Sequence, residues 1–412
     1  MLTPKVSIYI AACAAVCFLT SASTLAQDDY FPPAGDWQRR PPAQLGIDPG
    51  RLQAAMDFAV DNESLRPRSL EENHPLSWGG EPFDEPLGPF RERGPQTGII
   101  VKDGYIVAEW GDIKRVDMTF SVSKSFLSST VGLAFDAGLI RSVDDPVRDY
   151  FAPIVLPPGD GEPGNEEDGI GAANTRSLFE SEHNRKITWD HLLRQTSDWQ
   201  GTLWGKPDWA DRPGEDVVAN RYRERDEPGA VYKYNDVRVN LLALAALQLW
   251  RRPLPVVVRE RLMNPIGASN TWRWHGYKNS WVTLDGQMIN SVSGGGHWGG
   301  GMHISALDQA RFGYLALKRG RWGDQQILSE EWLRMAETPG KVNAGYGFMN
   351  WFLNTDRESI PAAPESAFSH RGAGTNLIYV DRENDLVVVA RWIRREAIAE
   401  FIEKVLSAGN PD

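Results

Sequence analysis

The sequence predicts an α+β fold: one antiparallel sheet assembled from distant segments, flanked by helices, with a mainly helical subdomain inserted between the strands. Two observations carry this. Hairpin-like runs rich in β-formers lie far apart, at Thr97 to Trp110 and at Leu377 to Trp392, and helical spacing dominates most of the chain between them. The 412 residues are 41% apolar and 24% charged, ordinary globular values that allow a large core without support from metals or disulfides.

Taken in order, residues 1 to 26 read as a signal peptide: Lys5, an apolar run from Val6 to Leu19, then small residues closing on Thr24-Leu25-Ala26. The expectation is export to the periplasm or beyond, a mature chain starting near Gln27, and no stable membrane span once the leader is removed. Both cysteines, Cys13 and Cys17, fall inside that leader. A mature chain without cysteine excludes disulfides, thiolate metal sites and a sulfur nucleophile.

Residues 27 to 95 are rich in Pro, Gly and charge and form a lead-in with one helix expected at Pro49 to Asn62, where Leu52, Ala55, Met56, Phe58 and Ala59 recur near helical spacing. The main domain follows from residue 96 to 412. It opens with the Thr97 to Trp110 hairpin, turning at Lys102-Asp103-Gly104. Thr119 to Ala137 changes to helical spacing, with Phe126, Leu127, Val131, Leu133 and Ala134 on a core face.

The helical subdomain is expected at about 138 to 330. Residues 155 to 185, dense in Gly, Pro and acid, read as a surface loop; a helix resumes at Trp189 to Gln195, and helices are expected on to about Lys318. The second hairpin turns at Asp381 to Asp385, and Glu396 to Ala408 closes the chain as an amphipathic helix.

The formal charge of -11 is spread along the chain, and no extended basic run occurs, which argues against a nucleic-acid partner. His297 and His303 flank a glycine-rich turn but have no third ligand at a recognisable spacing, so no metal site is expected. Trp199, Trp204, Trp209, Trp272 and Trp274 are candidates for lining an aromatic pocket, with core packing as the ordinary fate of tryptophan.

A serine hydroxyl needs a base within hydrogen-bond reach before it can attack a carbonyl. On a helix, residues three apart share a face, so Ser121 and Lys124 in Phe-Ser-Val-Ser-Lys-Ser would be adjacent. Burial at the start of an apolar helix disfavours the ammonium and makes the amine a usable base. No other lysine in the chain has a serine three residues before it. The N-terminal turn also leaves the Ser121 N–H unpaired and able to stabilise an oxyanion.

Three motifs then resemble the serine hydrolases related to class C β-lactamases, penicillin-binding D-alanyl peptidases, and the esterases and amide hydrolases that share their fold. They are Ser121-Val-Ser-Lys124, Tyr234-Asn235-Asp236 after a Pro-Gly, and His370-Arg371-Gly372 before the terminal hairpin. Ile187 to Trp199 and Gly294 to Ser305 add supporting similarity, so the likeness runs from about Thr97 onward.

The resemblance implies a β-lactamase-like fold, a two-step acyl transfer without cofactor, Ser121 as nucleophile, Lys124 as base and Tyr234 relaying the proton, with Tyr232 left to pack. It implies a second oxyanion donor at the Ala373 N–H, close substrate approach at Gly372, and His370, Arg371 and Asp236 as substrate-binding groups. Asp236 departs from the usual Asn and cannot donate as an amide can; its carboxylate is suited instead to hold Lys124 or a substrate amine. His370-Arg371 replaces the usual Lys-Thr.

Both departures favour a small-molecule ester or small amide as substrate over a β-lactam. A β-lactamase or D-amino-acid peptidase is the alternative enzyme. A penicillin-binding-like sensor that acylates without turnover, or a binding protein that keeps only the fold, is the alternative outside catalysis.

Overall fold

The computed structural model describes residues 29–155 and 175–409. The leader and the larger part of the expected 155–185 loop lie outside the described residues. The core is a six-stranded antiparallel sheet in the spatial order Phe352–Leu353, Phe368–Gly372, Asn376–Asp381, Leu386–Arg391, Thr97–Lys102, Tyr105–Trp110. The two hairpins seen in the sequence therefore pair with each other: Leu386–Arg391 runs antiparallel to Thr97–Lys102, with Ile99 opposite Val389.

The central strand Leu386–Arg391 is apolar from Leu386 to Ala390 because both faces of the sheet are covered there. Val387 and Val389 point into the larger core with Phe126 and Phe312. Val388 and Ala390 point the other way, onto Leu52, Ala55 and Ala59 of the Pro49–Asp61 helix and Phe401, Ile402 and Val405 of the C-terminal helix Ile398–Gly409. Strand alternation sorts one continuous run into two cores.

The fold differs from the sequence reading in two places. The lead-in carries a second helix, Leu70–Trp78, in which Ser69 caps by accepting from the Glu72 N–H; its polar sequence and internal Pro75 hid it. The region read as helical to Lys318 contains a second sheet built on Arg273–Leu284, paired with Gln287–Val292 and with Gly301–Ile304. Asp285 and Gly286, both at positive φ, make the hairpin turn that an Asp-Gly pair favours. Tryptophan and tyrosine in that strand break a clean alternation, and its polar positions left the pattern weak.

The helix Ser123–Asp136 enters from a short 3-10 turn at Phe120–Val122 and is buried from Ser123 to Ala134. Helix Asp236–Trp250, buried almost end to end, packs beside it. The two helix N-termini and the end of strand Phe368–Gly372 thus meet at one place. Among the described residues no single helix is long and apolar enough to cross a membrane.

Candidate active site

Ser121 sits in the 3-10 turn, partly buried, immediately after Phe120, which holds a φ of 47°. A bulky residue in the left-handed region is strained, and it persists only where packing over-determines it. Trp78 and Trp392 flank the Phe120 ring, and the Thr119 N–H donates to the Met302 carbonyl, fixing the turn from both sides.

One turn on, Lys124 is fully buried and its Nζ lies 2.9 Å from Ser121 Oγ. Nζ also makes a close ion pair with Asp236 Oδ1, and stands 4.6 Å from the centre of the Tyr234 ring. Asp236 is the first residue of its helix, held there because the Asn235 side chain caps by accepting from the Arg238 N–H. Burial by itself would raise the Asp236 carboxyl; Lys124, then Arg212 and His297, outweigh it and hold it well below the ordinary carboxylate range.

The structure brings Ser121, Lys124, Tyr234 and Gly372 together. Tyr234 is half-buried with its hydroxyl 3.5 Å from Asn350 Oδ1, while Tyr232 packs on Tyr346 at 5.2 Å between ring centres. A Cβ on Gly372 would run into the Thr119 carbonyl and come within 3.1 Å of the Ser121 nitrogen, so only glycine lets the strand end close on the Ser121 turn. Ala373 follows directly, where the strand leaves the sheet.

Other expected substrate contacts are not where the motif comparison put them. Asp236 is 1% exposed and takes the alternative place expected of a carboxylate here, holding Lys124, with Arg212 Nη2 at 3.2 Å, so it does not line the substrate space. His370 is 0% exposed among Phe312, Trp351 and Phe368; its Nδ1 lies 2.9 Å from Ser125 Oγ, and burial pushes the ring's pKa down to about 3. It supports the helix from the core instead of lining the site edge. Arg371 donates to Ser369 Oγ at 2.8 Å and Ser359 Oγ at 2.6 Å, with its guanidinium over Phe352.

Trp199, Trp204, Trp272 and Trp274 are core side chains, so the proposed aromatic lining does not form; Trp209 is half-buried and meets Phe83 edge-on.

Several residues at the site escaped the sequence. Gly295 leaves the space that the Lys124–Asp236 pair fills: a Cβ there would overlap both Asp236 Oδ1 and Lys124 Nζ. Arg212 joins Asp211 to Asp236. Asn350, at φ 70° and fully buried, donates from Nδ2 to the Arg371 carbonyl at 2.8 Å and so ties the strand to Tyr234. The glycine run around Gly295 was a visible signal, but the loops carrying Arg212 and Asn350 have no periodicity that would place them.

A model of the Beta-lactamase family matches residues 115–396. An Escherichia coli O157:H7 protein named "Putative D-alanyl-D-alanine carboxypeptidase" is 24% identical over 341 residues, which are 71% of this chain and 76% of that one. A penicillin-binding protein homologue from Caulobacter crescentus superposes with a TM-score of 0.52 at 12% identity, covering 88% of this chain and 98% of its own. EstCE1, described as a hydrolase with promiscuous acyltransferase activity, superposes at 0.52 with 14% identity over 87% of this chain and 98% of its own. At such identities the structural likeness speaks for the fold.

Proposed function

Because the chain belongs to the beta-lactamase family of serine hydrolases, we propose that it is an exported enzyme that cleaves an ester or small amide through an acyl-enzyme on Ser121. The observation that carries this reading is Lys124 Nζ at 2.9 Å from Ser121 Oγ inside a buried pocket of charge. Ser121 Oγ bonds to the substrate carbonyl carbon as its proton passes to the Lys124 amine. The resulting oxyanion is met by the N–H groups of Ser121 and Ala373. Collapse expels the alcohol or amine, which takes a proton from Lys124 through Tyr234. Water then repeats the sequence on the acyl-enzyme and frees the acid.

The preference for an ester or small amide over a β-lactam rests on two features. Asp236 offers no proton to a substrate carbonyl and is occupied by cations. Strand Phe368–Gly372 presents a core histidine and an arginine already engaged with two serines, where a β-lactam carboxylate would need an available cation.

A fluorophosphonate probe followed by a nitrophenyl ester and a chromogenic cephalosporin tests the reading. Labelling of Ser121 with ester turnover is expected. Absence of labelling overturns the nucleophile, labelling without turnover of any ester or amide supports a sensor, and rapid cephalosporin hydrolysis overturns the substrate preference.

A further inference from the structure

Behind Lys124 lies a buried group of charges that the acyl-transfer scheme does not use. His297 is 1% exposed and sandwiched between Trp78 and Trp298, at 4.9 and 4.3 Å between ring centres. Its Nε2 lies 3.0 Å from Glu81 Oε2, and its Nδ1 lies 3.3 Å from Asp211 Oδ1 and 3.5 Å from Asp236 Oδ2. Both ring nitrogens thus face carboxylates. Neither contact has the angle of a hydrogen bond, but a neutral imidazole would set a lone pair against one of these carboxylates, whereas an imidazolium is attracted to the carboxylates on both sides.

Charge counting agrees. Three carboxylates, Glu81, Asp211 and Asp236, outnumber the permanent cation Arg212, so a charged His297 relieves that excess whether Lys124 carries its proton or has given it up. His74 also faces the ring and is repelled by it, and its own pKa is lowered, chiefly by burial. Glu81, Asp211 and His297 lie close enough together to suggest a metal site. Their short contacts use opposite ring nitrogens, however, and Arg212 already holds Asp211 and Asp236, so the donors do not converge on one ion.

We propose that His297 is a positioning residue, positively charged at neutral pH, that shares the Asp236 carboxylate and thereby loosens that carboxylate's hold on the Lys124 proton. The proposal rests on the reading of Lys124 as the base of Ser121. An Asp236 left to Lys124 and Arg212 alone would attract the lysine's proton more strongly and oppose its release. Burial opposes charge on the ring, but Asp211, Asp236 and Glu81 outweigh it and raise the His297 pKa above its ordinary value.

The experiment pairs nitrogen NMR of histidine-labelled full chain with pH profiles of Ser121 labelling and of nitrophenyl-ester turnover, on wild type and His297→Gln. The His297 signals, assigned by their loss in the variant, are expected to show both ring nitrogens protonated at pH 7.5. In the variant the ascending limb of both profiles should move up by about one pH unit, with KM changed less than about threefold and the rate recovering at high pH.

A neutral ring at pH 7.5 overturns the proposal, and His297→Asn supplies the assignment where His297→Gln does not fold. So does a rate lowered equally at every pH, which is what mere loss of packing would give. Wild type unlabelled at any pH overturns the Ser121–Lys124 reading, and the coupling to Lys124 with it, whereas labelled wild type with an unshifted variant overturns the role of His297 alone.

Discussion

Lys124 and Ser125 are neighbours on one helix, and each leads to a buried histidine in an opposite kind of environment. Lys124 reaches Asp236, and through it His297, which is enclosed by carboxylates. Ser125 reaches His370, which is enclosed by Phe312, Trp351 and Phe368. Burial disfavours charge on both rings. At His297 the surrounding acids win and its pKa rises; at His370 nothing opposes burial but a backbone contact to Asn350, and its pKa falls to about 3. A histidine's part in this molecule is set by which face of one helix it meets.

The largest effect should come from the charged side. Lys124→Ala removes the base and leaves Asp236 facing a void, and acylation of Ser121 should fall about 10⁴-fold. The rate of fluorophosphonate labelling measures this, and near-normal rates would remove Lys124 from the chemistry. The neutral side should answer to acid. The folded chain keeps His370 uncharged down to about pH 3, whereas the unfolded chain binds a proton below its ordinary 6.5. The contribution is therefore complete above pH 6.5 and is lost as pH falls toward 3, by roughly 5 kcal/mol in all. Denaturant melts of wild type and His370→Asn across that range should differ in slope, and parallel curves would place His370 in contact with water.

Gly295→Ala acts between these two in kind and below them in size. The added methyl must displace either Lys124 Nζ or Asp236 Oδ1. We expect about a 100-fold loss of kcat/KM for the ester, roughly 3 kcal/mol, with the fold retained. Unchanged kinetics would mean that the Lys124–Asp236 pair has room to shift and is not a fixed part of the site.

What the sequence made legible follows the same division. Ser121 and Lys124 could be read because three residues on a helix bring side chains together whatever the rest of the chain does. The two hairpins could be read because alternation and turn residues are local. His297 lay in a conspicuous glycine run, yet its partners Glu81 and Asp211 come from a lead-in and a loop, joined only by tertiary folding. His370 was misplaced although a signal was present: it shares strand parity with Phe368, which points into the core, and parity outranks motif resemblance when the two disagree.

The smallest expected effect is also the sharpest test of whether the two environments are separate. Ser125→Ala removes the 2.9 Å contact to His370 Nδ1, leaving that nitrogen the Asn350 carbonyl at 3.3 Å. One buried neutral hydrogen bond is worth about 1 kcal/mol, and its partner stays partly satisfied, so the unfolding free energy should drop by about that amount. Lys124 keeps its own partners, Ser121 and Asp236, so kcat/KM should stay within about threefold. A loss of 100-fold would mean that Asn350, which also contacts Ser125 at 3.4 Å and the Tyr234 hydroxyl at 3.5 Å, transmits the change to the proton path. The neutral side would then be part of the catalytic apparatus, and the division between the two faces of the helix would fail.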